Sequence, residues 1–128
     1  MRRTFLWSKI HRATVTETDV AYEGSLTLDP VLMDAASIRP YERVDVYDID
    51  NGERFSTYLI PGEPNSGVCC VNGAAAHKTA PGHKIILAAY ADLDDAEIEQ
   101  HAPTVILVGE SNRIRKRSRE IIHGTRVV

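Results

Sequence analysis

The sequence predicts a mainly β fold, a small barrel of short strands with a few short helices. Short runs of apolar and β-branched residues recur along the chain, and clusters of Gly, Pro, Asn and Asp separate them. That pattern favours a small barrel over a doubly wound sheet. At 128 residues the chain is one domain with enough length for one core.

Residues 3–16, with Phe5, Trp7 and Ile10, read as one strand or a bent pair, followed by a turn near Glu17–Asp19. Ala21–Leu28 reads as a short strand interrupted by Gly24. Asp29-Pro30 starts a helix, because Asp can cap free N–H groups and Pro suits the first helical position. The helix is expected to reach about Ser37 and stop before Pro40. Val44, Val46 and Ile49 open a strand, Asp50–Glu53 makes a tight turn, and Phe55–Ile60 is the hairpin partner. Residues 61–67 are a loop. Val68–Val71 is a strand and Asn72–His77 a compact segment of about one helical turn. Pro81-Gly82 turns the chain into the strand Lys84–Ala91. Asp94 or Asp95 caps a helix to about His101, and Thr104–Val108 is the last strand expected. The single domain is placed at 1–112. Residues 113–128 are a basic tail containing Arg113, Arg115, Lys116, Arg117 and Arg119. No aromatic residue interleaves with those charges, so a solvated, flexible tail is favoured over a nucleic-acid patch.

Composition narrows the function classes. A net charge of −3 gives no bias towards nucleic acid or anionic membrane. No apolar run approaches the ~20 residues of a membrane-spanning helix. The N-terminus lacks the apolar block of a signal peptide. Cys69 and Cys70 are adjacent, which is poor geometry for a disulfide, and no spaced cysteine pairs mark a zinc site. Two free thiols fit the reducing cytoplasm. No metal site is expected.

The chemistry lies in four ordered motifs. They are Lys9-x-His11, Tyr22-Glu23-Gly24-Ser25, Asn51-Gly52-x-Arg54-Phe55-Ser56-Thr57-Tyr58, and Val71-Asn72-Gly73-Ala74-Ala75-Ala76-His77. Each is weak alone. Together, in this order and spacing, they resemble the aspartate α-decarboxylase family over most of the chain, although residues 93–128 carry almost none of the pattern. The resemblance implies a double-psi β-barrel assembled as a homotetramer, with sites between protomers. It also implies a self-cleaving proenzyme that converts L-aspartate to β-alanine and carbon dioxide for pantothenate and coenzyme A synthesis.

Decarboxylation of an amino acid needs an electron sink that no standard side chain supplies. A pyridoxal phosphate site would need a phosphate cradle, and no Gly-rich phosphate loop is present. The resemblance implies a pyruvoyl group made from Ser25, whose ketone takes up the substrate amine as a Schiff base. On that reading Ser25 Oγ attacks the Gly24 carbonyl and an ester replaces the amide. Elimination then leaves dehydroalanine at position 25, and loss of ammonia gives the pyruvoyl group. Gly24 is expected to admit the serine and to adopt a strained backbone. A bulge or turn is the structural alternative for Gly24-Ser25. Whether a maturation factor assists the cleavage stays open.

The family pattern gives Thr57 a role in processing and makes Tyr58 the proton donor to the α-carbon. A phenol keeps its proton at neutral pH and can yield it to a much stronger base. His11 is a candidate for proton transfer during cleavage. Arg54 and Lys9 suit the retained β-carboxylate, since pairing with the departing carboxylate would stabilise the ground state instead. Exposed strand charges are the alternative for both, and a core aromatic for Tyr58. Thr57 and Tyr58 should face opposite ways on a regular strand. They serve one site only if the strand twists or the site spans a subunit boundary, and the second is favoured. Tyr22 is expected to line the pocket and Asn72 to hydrogen-bond substrate or cofactor. Gly73, Ala74 and Ala75 would offer backbone N–H groups or simply form a turn. A decarboxylase of another acidic amino acid and a catalytically silent interaction module are the rival readings.

Overall fold

The structure, a computed structural model, describes residues 1–124. The expected mainly β architecture with short helices is present. The strands are β1 (Arg3–Thr14), β2 (Glu17–Asp19), β3 (Ser25–Leu28), β4 (Arg43–Asp48), β5 (Arg54–Pro61), β6 (Cys69–Asn72), β7 (Lys84–Leu93), β8 (Thr104–Val108) and β9 (Ile114–Ser118). Helix α1 covers Pro30–Ala36 and α2 Asp95–Gln100, and Gly73–Lys78 is a 3₁₀ helix.

The strands join in the order β2-β6-β3-β5-β4-β7-β1-β8-β9. Three parallel pairs (β1–β8, β2–β6, β3–β5) stand among antiparallel ones, so the chain crosses over repeatedly. Val71 of β6, near one end of the series, shares a single buried cluster with Ile106 and Val108 of β8, near the other. The sheet therefore wraps around its core in the manner of a small barrel, although the terminal strands β2 and β9 do not pair with each other.

Both helix starts follow the sequence logic. The Asp29 carboxylate accepts the Val31 N–H at 3.0 Å, and Pro30 occupies the first turn. Asp94 and Glu97 form a capping box on α2. Three local expectations need correction. Glu17–Asp19 is a short strand beside β6 rather than a turn, and the chain turns at residues 20–24 instead. Consequently only Ser25–Leu28 of the expected Ala21–Leu28 strand pairs. Thr104–Val108 is not the last strand either. Residues 114–118, expected in a flexible tail, pair antiparallel with β8. Backbone hydrogen bonding to a neighbouring edge orders a segment whose exposed charges carry no core signal. The end of that expected tail, residues 125–128, lies outside the described residues.

Candidate active site

Ser25 opens β3 immediately after an exposed bend and is 4% exposed. Pairing of β3 with β6 sets it directly opposite Asn72. The Asn72 Nδ2 donates to Ser25 Oγ at 3.2 Å and to Thr27 Oγ1 at 3.1 Å. Its Oδ1 accepts from the Cys70 thiol at 3.2 Å. Burial, then the charges of Glu17 and Asp19, push that thiol up from its ordinary pKa, so it keeps its proton and donates.

The glycine constraint sits at position 73 rather than 24. Gly24 does not have the left-handed φ expected of a strained residue, and a Cβ there would meet nothing within 4 Å beyond its chain neighbours. Gly73 has φ +74°, and a Cβ on it would lie 2.6 Å from Gly24 Cα and 2.9 Å from Gly24 N. The backbone at 73 is thus packed against Gly24 on the N-terminal side of the Gly24–Ser25 peptide.

An open cavity of about 640 Å³ brings together Ser25, Asn72, Tyr22 and Tyr58, with Cys70 and Tyr41 also on its wall. Register resolves the orientation of Thr57 and Tyr58. Thr57 pairs with Val44, which is buried, and Tyr58 pairs with exposed Arg43, so the two face opposite ways. Both still border a neighbouring cavity of about 520 Å³ with Tyr41 and Ser56. Ala74 is exposed, whereas Ala75 packs against the core.

Lys9, His11 and Arg54 are not on the wall of the Ser25 cavity. They belong to the outward sheet face. His11 lies opposite Ile86, Ile86 opposite Tyr47, and Tyr47 opposite Arg54. Lys9, Ala88, Asp45 and Ser56 form the next row. Residues directly paired across strands share a face, so the cations stand on one side of the sheet. Burial and the charges of Lys9 and Arg12 lower the His11 pKa to about 4, and its Nδ1 is buried without a hydrogen-bond partner among the described residues. Burial lowers Lys9 as well.

The model of the family described as aspartate decarboxylase matches residues 1–115. The chain belongs to that family. Similar relatives include three proteins named aspartate 1-decarboxylase. The one from Syntrophobacter fumaroxidans is 56% identical over 88% of this chain and 91% of its own. The one from Methylibium petroleiphilum is 51% identical over 89% and 95% respectively. The one from Wolinella succinogenes is 50% identical over 94% of this chain and the whole of its own.

Family membership does not account for every ordered polar group. Thr27, Cys70 and Tyr41 are not singled out as site residues by sequence, because β-register brings Thr27 and Cys70 to Ser25, and a turn whose Tyr41 N–H bonds Leu59 O brings Tyr41 to Tyr58. His83, for which sequence offers no partner, bonds Asp48 through Nδ1 at 2.8 Å, while His77 is exposed. Asp48, Asp50 and His83 lie close enough to share one ion. However, the buried Asp48 carboxylate already accepts from Thr79 Oγ1 at 2.7 Å and from the Asp50 and Asn51 N–H groups. Hydrogen bonding that ties the 48–53 turn to β7 explains the cluster.

Proposed function

We propose that this chain decarboxylates L-aspartate to β-alanine through a pyruvoyl group formed from Ser25, in an oligomer whose sites draw on two subunits. The observation that carries the reading is the Ser25 environment. A buried serine hydroxyl sits at the end of an exposed bend, bonded by an amide donor, with Gly73 packed against the preceding residue. That setting fits a pyruvoyl group, since the Asn72 amide can donate to a carbonyl oxygen as well as to a hydroxyl. When formed, the group supplies the electron sink that no side chain here can provide.

Each residue then has a task. Asn72 draws its hydrogen bond from the NH₂ side, so Ser25 keeps its own proton free to give up as Oγ attacks the Gly24 carbonyl. Thr57 assists that self-cleavage. Tyr58, on the wall of the same cavity, delivers a proton to the α-carbon once carbon dioxide has left. Tyr22 closes the outer wall. Arg54 and Lys9 hold the retained β-carboxylate, and they reach Ser25 from the outward face of a neighbouring subunit. His11 shares that face, which assigns it to the substrate-receiving side more readily than to cleavage within its own protomer. Assembly is read as a homotetramer, with no nucleic acid or membrane partner, acting in the cytoplasm and supplying pantothenate synthesis. No helix among the described residues is long and apolar enough to cross a membrane.

Intact mass under denaturing conditions tests the reading. Two species of 24 and 104 residues are expected. The larger should gain a stable adduct when the active protein is treated with aspartate and borohydride. An active preparation that stays uncut, or that gains no adduct, overturns the proposal.

A further inference from the structure

We propose that Tyr47, pinned by Tyr90, is a positioning residue that presents the Arg54 guanidinium edge-on to the substrate carboxylate. This rests on the reading of Arg54 as the carboxylate-binding residue. The Arg54 Cζ lies 4.4 Å above the centre of the Tyr47 ring, and the two residues are direct partners on β5 and β4. Stacking uses the face of the guanidinium and leaves its N–H groups, which lie in the plane, free at the edge. A carboxylate takes those donors two at a time.

The surroundings keep that edge free. Arg54 makes no ion pair among the described residues. Asp45, on the same face two residues from Tyr47, is drawn elsewhere. Its Oδ1 accepts from Ser56 Oγ at 2.7 Å and lies 3.7 Å from the Arg43 guanidinium. An aromatic ring thus replaces a carboxylate as the partner that orders the arm. The arginine is held still without being neutralised, so its full charge remains for a ligand.

Tyr90 completes the device. Its hydroxyl lies 3.1 Å from the Tyr47 hydroxyl, fixing the far end of the ring. That bond, then burial, pushes the Tyr47 pKa up to about 12, so the ring stays uncharged and does not compete for the cation as a phenolate. Neither tyrosine needs to touch the reacting atoms.

The test is a double-mutant cycle on cleaved protein, read as KM and kcat for aspartate and as the dissociation constant of succinate. Succinate has the carboxylates but no amine, so its binding does not depend on turnover. Tyr47→Ala should raise KM and weaken succinate about tenfold with kcat within about twofold, the size of a partly desolvated ring–cation contact. Tyr47→Trp should restore both, because it returns the aromatic face. Tyr90→Phe, which keeps both rings but loses the hydroxyl bond, should raise KM by about two- to threefold. In an Arg54→Lys background, which keeps the charge but has no planar face for the ring to order, Tyr47→Ala should change KM and the succinate constant by less than about twofold. Additive losses in the two backgrounds, an unchanged KM in Tyr47→Ala, or no recovery with Trp would overturn the proposal. Absence of cleavage or of aspartate turnover in the unaltered chain would instead refute the functional reading beneath it.

Discussion

At position 73 a single methyl group would collide with Gly24, the residue before the proposed cut. Gly73→Ala places a Cβ 2.6 Å from Gly24 Cα and forces a side chain into φ +74°. The expected result is a loss of about 1–3 kcal/mol in stability and self-cleavage slowed at least about tenfold. Gly24→Ala should leave the stability of the uncut chain within about 0.5 kcal/mol, since its Cβ meets open space. Chemical denaturation of both variants on a Ser25→Ala background, with cleavage followed separately by mass, decides between the two positions. The sequence pattern marks both Gly24 and Gly73, but it leads one to expect the strained backbone at Gly24, whereas the positive φ lies at Gly73. Which glycine is indispensable depends on a contact between segments 49 positions apart, and residue spacing along the chain carries no trace of that contact.

His11 gives the residue scale a pH dependence. Its folded pKa of about 4 lies below the ordinary value because burial and the Lys9 and Arg12 charges disfavour the imidazolium. The unfolded chain therefore binds a proton near its ordinary pKa of 6.5, before the folded chain does. Stability from this group is complete above that value, declines as pH falls towards 4, and is flat below. Protonation would also charge a ring whose buried Nδ1 has no hydrogen-bond partner among the described residues. Denaturant midpoints measured between pH 7 and 4 should fall less for His11→Asn than for the unaltered chain. Parallel curves would remove His11 from the cause.

At the scale of elements, Asp29 has the widest reach. Besides Val31, it accepts the Asn65 N–H at 3.1 Å and the Gly67 N–H at 2.9 Å, joining α1 to the loop before β6. Burial raises its pKa, but the three backbone donors together carry it below the usual carboxylate range. Asp29→Ala removes the cap and strands these donors, at a cost of about 2–4 kcal/mol. Thermal or denaturant unfolding at neutral pH measures it, and a loss under about 1 kcal/mol would contradict the role. The cap itself was readable from Asp29-Pro30, because helix starts have local chemistry. Its second and third partners were not, since Asn65 and Gly67 arrive through a crossover. The same division explains the strands. Alternating apolar residues and a tight turn announce β4 and β5, and a continuous apolar run after Pro81-Gly82 announces β7, whereas β2 and β9 have little core surface and exist because β6 and β8 offer them a backbone edge.

Across the whole molecule, the proposed chemistry lies in two regions of one subunit's outward surface, the Ser25 cavity and the face of β1 and β5, with Tyr58 common to both. Ser25, Asn72 and Tyr58 share a cavity, while Lys9 and Arg54 stand on the outward face of β1 and β5. A closed oligomer can bring the cavity of one copy against the outward face of another, and symmetry then repeats the match at every boundary. This predicts complementation between two inactive variants. Ser25→Ala cannot form the electrophile but keeps Arg54, and Arg54→Ala processes itself but cannot hold substrate. Co-expressed chains that mix at random should contain roughly a quarter of sites with an intact Ser25 facing an intact Arg54. Activity should therefore return to roughly a quarter of the unaltered level, while separately purified variants mixed without subunit exchange stay inactive. If mass analysis shows mixed oligomers and activity does not return, Ser25 and Arg54 must come from the same chain. The cations would then have to reach the Ser25 cavity by a rearrangement within one protomer, and the two-subunit site would be wrong.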